Sequence, residues 1–145
     1  MAANLKVYDA SEVSFVFAGL PIDSGYADGE FIRIEKTEPD FKAVTGTDGE
    51  VTRSKTGSSH HTITLVLMQS SSGNALLSAI RNVDLLGKNG AGVGPILIRD
   101  RQGTSIYVGS KAWIAAPPKV SFDRAASSRE WTFECADMVR VDGGN

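Results

Sequence analysis

The sequence has a single cysteine and no long hydrophobic run, and each shortage excludes a class of protein. Cys135 has no second cysteine with which to form a disulfide, so the fold is predicted to rest on its hydrophobic core. It lies in the alternating stretch EWTFECADMV, on the same strand face as Trp131 and Phe133, which favours a buried, unreactive thiol. No apolar stretch approaches the ~20 residues that a membrane-spanning helix needs, so no membrane role is predicted.

The N-terminus lacks the basic start, the apolar stretch and the small-residue cleavage site of a secretion signal. We therefore expect the chain to be made and kept in a cytoplasm, and an unpaired cysteine fits a reducing compartment. A basic surplus is missing too, because 15 Lys and Arg face 17 Asp and Glu, for a net charge of −2. This balance argues against tight binding to nucleic-acid phosphates.

Catalytic and metal-binding motifs are also absent from the sequence. His60 and His61 are adjacent, and neighbours on a strand point to opposite faces, so they cannot hold one metal together. Ser58 and Ser59 precede them without a GxSxG motif and fit a local turn better than a nucleophile. The glycines of residues 87–94 follow a predicted helix and lack the GK[ST] ending of a phosphate-binding loop. We predict no enzymatic activity, no cofactor and no metal site.

The most informative stretch that is present runs from a strand through serines into a helix. From Thr62 to Met68 apolar residues alternate, which predicts a strand with one face made of Ile63, Leu65 and Leu67. The serines at 70–72 follow, and their hydroxyls can accept hydrogen bonds from the free amides that open a helix. The helix is predicted to end near Gly87, with one apolar stripe made of Leu76, Leu77, Ile80 and Val83.

Other alternating segments predict further strands along the chain. They comprise residues 13–17, 30–38, 95–100 and 104–116, and two strands within 119–141 around an Ala-Ser-Ser turn. Residues 37–59 are polar and turn-prone and are predicted to form a long loop, in which TDGEVTR is a candidate strand extension. Residues 1–145 are thus predicted to form one mainly β domain, a sandwich or barrel with one helix. Such a sheet must close on itself or pair its edges with another chain.

Four segments, taken in order, resemble a known family. They are VSFVFAGLPIDSGYADGEFIRIEK, a loop containing GTDGEVTRSKT, the unit TITLVLMQSSSGNALLSAI, and EWTFECADM. The most specific is the strand-to-helix arrangement LxLMQSSSxNxxLSxI. The chain resembles, nearly end to end, the tail tube proteins of contractile-tailed bacteriophages, a family similar to the tube component of type VI secretion systems.

This resemblance implies a β-sandwich or barrel flanked by a helix, and a structural virion protein without enzymatic activity. Six copies would join their sheets into one continuous inner β-barrel, and the hexameric rings would stack into a tail tube for DNA ejection. The implied partners are further copies of the chain, the tail sheath, baseplate and tail terminator proteins, and a tape measure protein in the lumen. Double-stranded DNA would pass without specific binding. The protein would belong to the virion tail, assembled in the cytoplasm of a bacterial host.

The resemblance also suggests which residues face the lumen and which contact neighbours. Lumen-facing candidates are the polar residues opposite the apolar faces of two strands: Arg33, Glu35, Thr62 and Thr64. A near-neutral or acidic lumen would not retard DNA, although Val66 and Met68 on the same face fit a polar lumen poorly. The long loop resembles the family's extended loop that reaches a neighbouring subunit or ring, with contact residues Ala43, Thr45, Asp48, Glu50, Arg53 and Lys55.

Two other functions are compatible with the residues. A secretion-system tube ring would use the same fold, and the sequence separates it poorly from a phage tube. A monomeric β-barrel that binds a small ligand would need no hexamer, and Trp113, Trp131 and Tyr107 would line its site. The large loop and the lack of convergent polar groups argue against this second alternative.

Overall fold

The structure, a computed structural model, describes residues 3–144 and is mainly β with one α-helix, as predicted. The strands are β1 (Val13–Phe17), β2 (Leu20–Ile22), β3 (Ile32–Lys36), β4 (Phe41–Thr45), β5 (Val51–Lys55), β6 (His61–Met68), β7 (Gly94–Asp100), β8 (Ile106–Ala116), β9 (Ser128–Cys135) and β10 (Met138–Val141). Helix α1 (Gly73–Leu86) lies between β6 and β7, and a short 3-10 helix (Ala10–Glu12) precedes β1.

Eight of these strands form one open antiparallel sheet in the order β2-β1-β7-β8-β9-β6-β3, with β10 paired to β8 beside this path. Strand β8 is long enough to belong to two layers. Its first half pairs with β7 and β10, and its second half pairs mainly with β9. Strands β4 and β5 form a separate two-stranded sheet. The large sheet therefore ends at β2 on one side and at β3 on the other.

The core lies between the two layers of this folded sheet. Phe15 and Phe17 on β1 meet Phe133 on β9, with ring centroids 5.4 and 5.1 Å apart. Since β7 and β8 separate β1 from β9 in the sheet order, this contact requires the sheet to fold over on itself. Cys135 is fully buried in this core, which confirms that prediction, and its burial raises the pKa of the thiol.

The strand-to-helix unit confirms the predicted alternation of β6. Ile63, Leu65 and Leu67 are fully buried. The helix begins at Gly73, whose amide donates to the Ser71 hydroxyl at 3.2 Å, whereas the side chain of the N-cap residue Ser72 makes no capping hydrogen bond. The serines thus open the helix as expected, but through the hydroxyl at 71.

The apolar stripe of α1 is only partly buried, because two of its four residues are exposed. Leu77 is buried and Ile80 half-buried, whereas Leu76 and Val83 are 41% and 55% exposed. The helix ends at Gly87, which is in an extended conformation. Its C-terminal turns therefore present apolar side chains to solvent.

Two further predictions need correction. Residues 37–59 are not a loop throughout, because β4 and β5 form a hairpin within them, and β5 overlaps the candidate strand extension TDGEVTR at residues 51–53. The strand predicted just before the Ala-Ser-Ser turn is absent, since residues 117–127 form neither strand nor helix and the two strands of this region, β9 and β10, follow them. Pro117 and Pro118 lack the amide donors that a ladder needs, and Phe122 nearby is 82% exposed.

Candidate assembly surfaces

The four predicted lumen residues lie together on one face of the sheet. Arg33 and Glu35 on β3 are paired with Thr64 and Thr62 on β6, and directly paired residues project to the same face. Strand β9 extends this surface, because its alternate residues pair with the same positions of β6. We call this surface the polar face: Arg33, Glu35, Thr62, Thr64, Glu130, Thr132 and Glu134.

Arg33 is surrounded by carboxylates on the polar face. Its Nη1 lies 3.0 Å from Glu30 Oε1, its Nε lies 3.0 Å from Glu35 Oε1, and its Nη2 lies 3.9 Å from Glu130 Oε1. These pairs are solvent-exposed and contribute little to folding stability. Their consequence is electrostatic, since one guanidinium faces three carboxylates and leaves an acidic surplus.

The rest of the polar face is mixed in character. Glu134 lies 3.6 Å from His60 Nε2, and the His60 ring lies 6.3 Å from that of Trp113. Val66 is half-buried opposite Glu130, and Met68 is 46% exposed. The two apolar residues that fit a polar lumen poorly therefore do lie on this face.

The six predicted contact residues all lie on the β4–β5 hairpin or its turn. All ten strand residues of this hairpin are exposed. Ala43 pairs with Arg53, while Thr45 and Lys55 lie two residues further along the same side. The remaining two residues shape the turn, where Asp48 Oδ1 accepts a hydrogen bond of 3.0 Å from the amide of Glu50. The hairpin is thus an exposed element with an ordered tip.

Contacts near the base of the hairpin join its two strands, and one ion pair links it to β3. The Arg53 guanidinium lies 4.2 Å from the centre of the Phe41 ring, and the Thr56 amide donates to the Asp40 carbonyl at 2.9 Å. The Lys36 ammonium pairs with the Asp40 carboxylate and lowers its pKa. This base orients the hairpin relative to β3, which ends in Lys36.

Strand β3 has a free edge that the sequence pattern did not reveal. The Thr37 amide donates to the His60 carbonyl at 3.2 Å, and the Phe31 carbonyl accepts from the Val66 amide at 2.8 Å. In an antiparallel ladder only every second residue of a strand bonds to a given neighbour. The amides and carbonyls of the residues between those bonded to β6 therefore face away from it: Ile32, Ile34 and Lys36. Within residues 3–144, no strand pairs with this edge. The opposite edge strand, β2, contains Pro21, which has no amide hydrogen to offer.

A cleft of about 390 Å³ opens between the layers beside this free edge. Apolar and aromatic residues from both layers line part of it: Val13, Phe31, Ile32, Ile34, Ile98 and Tyr107. Glu30, Asp100 and Arg140 add charged groups to it. We call it the edge cleft.

The outer face of the second layer carries an apolar row that the sequence analysis missed. Val16 on β1 pairs with Leu97 on β7, Leu97 pairs with Val108 on β8, and Val108 pairs with Val139 on β10. Val108 and Val139 are 44% and 72% exposed. Alternation within each strand places these residues on the face away from the core. Only the register between strands shows that they are neighbours.

The residues proposed for a ligand site do not converge. Trp131 is buried in the core and donates from Nε1 to Asn74, whereas Trp113 lies on the opposite face, near His60. The Tyr107 hydroxyl donates to Asp142 at 2.9 Å. These three residues therefore do not line one site, and the alternative of a ligand site built from them is wrong.

The described part of the chain has neither a metal-binding cluster nor a helix suited to crossing a membrane. Residues 3–144 contain no group of three or more His, Cys, Asp or Glu placed to hold a metal ion. No helix in this range has the length and apolar character needed to cross a membrane.

Comparison with known proteins places this geometry in a family. The model of the bacteriophage PhiTE tail tube protein family matches residues 9–143. The chain belongs to this tail tube family. A curated relative, structural protein ORF10 of Pseudomonas phage KPP10, is 25% identical over 150 residues, covering 100% of this chain and 87% of the relative. The resemblance inferred from the sequence is confirmed, and this tail tube protein is a structural protein of the phage tail.

Solved structures share the fold of the tail tube protein at low identity. The tube-terminating cap of the anti-feeding prophage has a TM-score of 0.60 at 9% identity, covering 97% of this chain and 95% of that one. The sheath-tube complex of an extracellular contractile injection system, PVC, in its extended state has a TM-score of 0.60 at 12% identity, with 92% and 90% covered. The sheath/tube terminator of that system has a TM-score of 0.61 at 14% identity, with 96% and 99% covered. These likenesses confirm the predicted tail-tube-like fold.

Proposed function

We propose that the tail tube protein assembles as hexameric rings that stack into a tube, and that the lumen of this tube is the channel for DNA ejection. The free edge of β3 is the observation that carries the proposal. Its unpaired backbone donors and acceptors are a template for pairing with another chain. A ring of copies removes such edges by closing the sheets into one barrel.

The polar face is the surface that best suits the lumen. DNA moves freely only along a wall that does not bind its phosphates, and each bound phosphate adds to affinity at low salt. Arg33 is the cation of this face, and three carboxylates lie within 4 Å of it. The apolar row of the other layer suits contact with protein better than it suits a DNA channel.

The hairpin is proposed to contact the neighbouring subunit or ring. An isolated two-stranded hairpin is marginal in water, and all ten strand residues of this one are exposed. Docking of one side of the hairpin on a neighbour would bury Phe41 and Val51, which are 46% and 60% exposed and share the side of Ala43 and Arg53. The proposed contact residues are those on its shared side and at its tip: Ala43, Thr45, Asp48, Glu50, Arg53 and Lys55.

The remaining partners follow from the place of a tube in a tail. The sheath, baseplate and terminator proteins would contact its outside and ends, and a tape measure protein would occupy the lumen before DNA passes. The tail would be contractile, would be assembled in the host cytoplasm, and would need no enzymatic activity from this chain. Fold likeness to a sheath-tube complex and to terminators supports this arrangement.

Negative-stain electron microscopy of the purified protein across a range of concentrations tests the proposal. We expect rings or long tubes with an open channel as concentration rises, because association follows mass action. Class averages should have sixfold symmetry. A protein that stays monomeric at every concentration, or that forms closed dimers only, would contradict it.

A further inference from the structure

We propose that the N-terminal segment of one subunit, residues 3–7, pairs as a strand with the free edge of β3 in a neighbouring subunit and fills the edge cleft. This inference rests on the proposed assembly and specifies which part of the neighbour completes the sheet. It is a strand addition, in which backbone hydrogen bonds provide affinity and alternate side chains enter pockets.

The segment has the pattern of a strand without a partner. Residues 3–9 belong to no helix or strand, and Leu5 and Val7 are 89% and 59% exposed. Lys6 lies between them, so an extended conformation would place both apolar side chains on one side and the lysine on the other. No proline interrupts residues 3–8. Five extended residues span about 17 Å, which matches the five residues of β3.

The edge cleft lies where the side chains of such a strand would go. Ile32 and Ile34 line it from β3, and Ile98 and Tyr107 line it from the other layer. A strand placed beside β3 would continue its layer and direct every second side chain between the layers. Leu5 and Val7 would then enter the cleft. Their side chains and the apolar lining of the cleft, which are both exposed in a single chain, would be buried.

Charge favours the same orientation. With Leu5 and Val7 in the cleft, Lys6 would project onto the polar face beside β3. Glu30 and Glu35 lie there with Arg33, in a group with an acidic surplus. The added ammonium of Lys6 would therefore face the carboxylates of this group.

The exposure of the segment makes it available to a neighbouring subunit. Asp9 caps the short 3-10 helix, with its Oδ1 accepting from the Ser11 amide at 2.9 Å, which orients the chain at that point. Tyr8 lines the edge cleft of its own subunit, and residues 3–7 before it are exposed, with Leu5 at 89%. Residues 3–7 belong to no strand of their own subunit and are therefore available to another.

Hydrogen exchange in assembled tubes tests the inference, with the amides of Ile32, Ile34 and Lys36 as the readout. These amides should be protected in tubes of the unmodified protein and of the control variant Lys6→Ser. The variant Leu5→Asp with Val7→Asp should leave them as fast to exchange as in the dilute monomer. Full protection in tubes of that variant would overturn the inference, because another strand would then occupy the edge.

Disulfide trapping tests the inference without requiring tubes. One chain carries Leu5→Cys or Val7→Cys and a second, tagged chain carries Ile32→Cys or Ile34→Cys, while the native Cys135 is buried. We expect at least one of the four mixtures to link the two chains, and none when Lys6→Cys replaces the first partner. The absence of a link in every mixture would overturn the inference. So would a link that forms only within a single chain made to carry both introduced cysteines. Links without rings would contradict the proposed hexamer and leave this inference standing.

Discussion

The indole Nε1 of Trp131 donates a hydrogen bond of 3.0 Å to Oδ1 of Asn74, which joins β9 to the first turn of α1. The Asn74 amide nitrogen in turn donates to the carbonyl of Met68 at 3.0 Å. One side chain therefore connects the end of β6, the start of the helix and the core strand β9. This explains in physical terms why the segment LMQSSSGN is followed by a helix docked on the sheet.

Replacing Asn74 by alanine should lower the free energy of unfolding by about 1–3 kcal/mol, because the buried indole N–H loses its acceptor. Urea unfolding followed by tryptophan fluorescence measures the change. The matched control is Asn82→Ala on the exposed surface of the same helix, which should stay within about 0.5 kcal/mol of the parent. Equal changes in the free energy of unfolding for the two substitutions would show that the hydrogen bond to Trp131 does not contribute to stability.

Asp137 predicts an acid dependence of stability. Its carboxylate accepts hydrogen bonds from the Ser110 hydroxyl and from the amides of Ser110 and Lys111 at 3.2 and 3.0 Å, which lower its pKa from 3.8. A lowered pKa contributes stability that is present above pH 3.8 and is lost as pH falls through the folded-state pKa. Thermal unfolding between pH 5 and pH 2 should show a smaller loss on acidification for Asp137→Asn than for the parent. The exposed Asp28→Asn variant should match the parent.

Deleting residues 43–55 should leave a folded monomer that cannot polymerise. The deleted strands contribute no residue to the buried core, so the main sheet should keep its thermal unfolding midpoint and circular dichroism. Electron microscopy should show no tubes at concentrations at which the parent forms them. Normal tubes from the deleted chain would refute the contact role of the hairpin.

The acidic surplus of the polar face can be neutralised by Glu130→Lys, which replaces one of the three carboxylates around Arg33 by a cation. If this face lines the lumen, tubes should still form but should retain double-stranded DNA at low salt, and retention should fall steeply as salt rises. Sedimentation of tubes with labelled DNA measures this. Glu38→Lys, in an exposed position before the hairpin, is the control for a non-specific effect of charge.

Val139→Asp tests the apolar row of the other layer. Val139 is 72% exposed, so the monomer should change in stability by no more than about 0.5 kcal/mol. If the row contacts a neighbouring subunit, the concentration needed for assembly should rise at least about tenfold, as burial of a charge opposes association. Val120→Asp, 57% exposed and outside the row, should assemble like the parent.

The sequence predicted elements best where burial imposes a period. Ile63, Leu65 and Leu67 alternate because one side of β6 meets the core, and this pattern located both the strand and its face. Strands β4 and β5 have no buried side, so their residues carry no such period and were interpreted as loop. Leu76 and Val83 show the opposite error, since helical spacing marks an apolar stripe but does not say how much of it the sheet covers.

By itself, the sequence determined the mainly β class, the strand-serine-helix unit, and that Arg33 shares a strand side with Glu35 and Thr62 with Thr64, because alternation is a local property of an extended chain. Only the tertiary structure decided that Phe15 meets Phe133, that β3 ends the sheet beside an open cleft, and that Val16, Leu97, Val108 and Val139 form one row. These relationships join residues far apart in sequence. They depend on the order and register in which strands pair, which periodicity within a single strand does not specify.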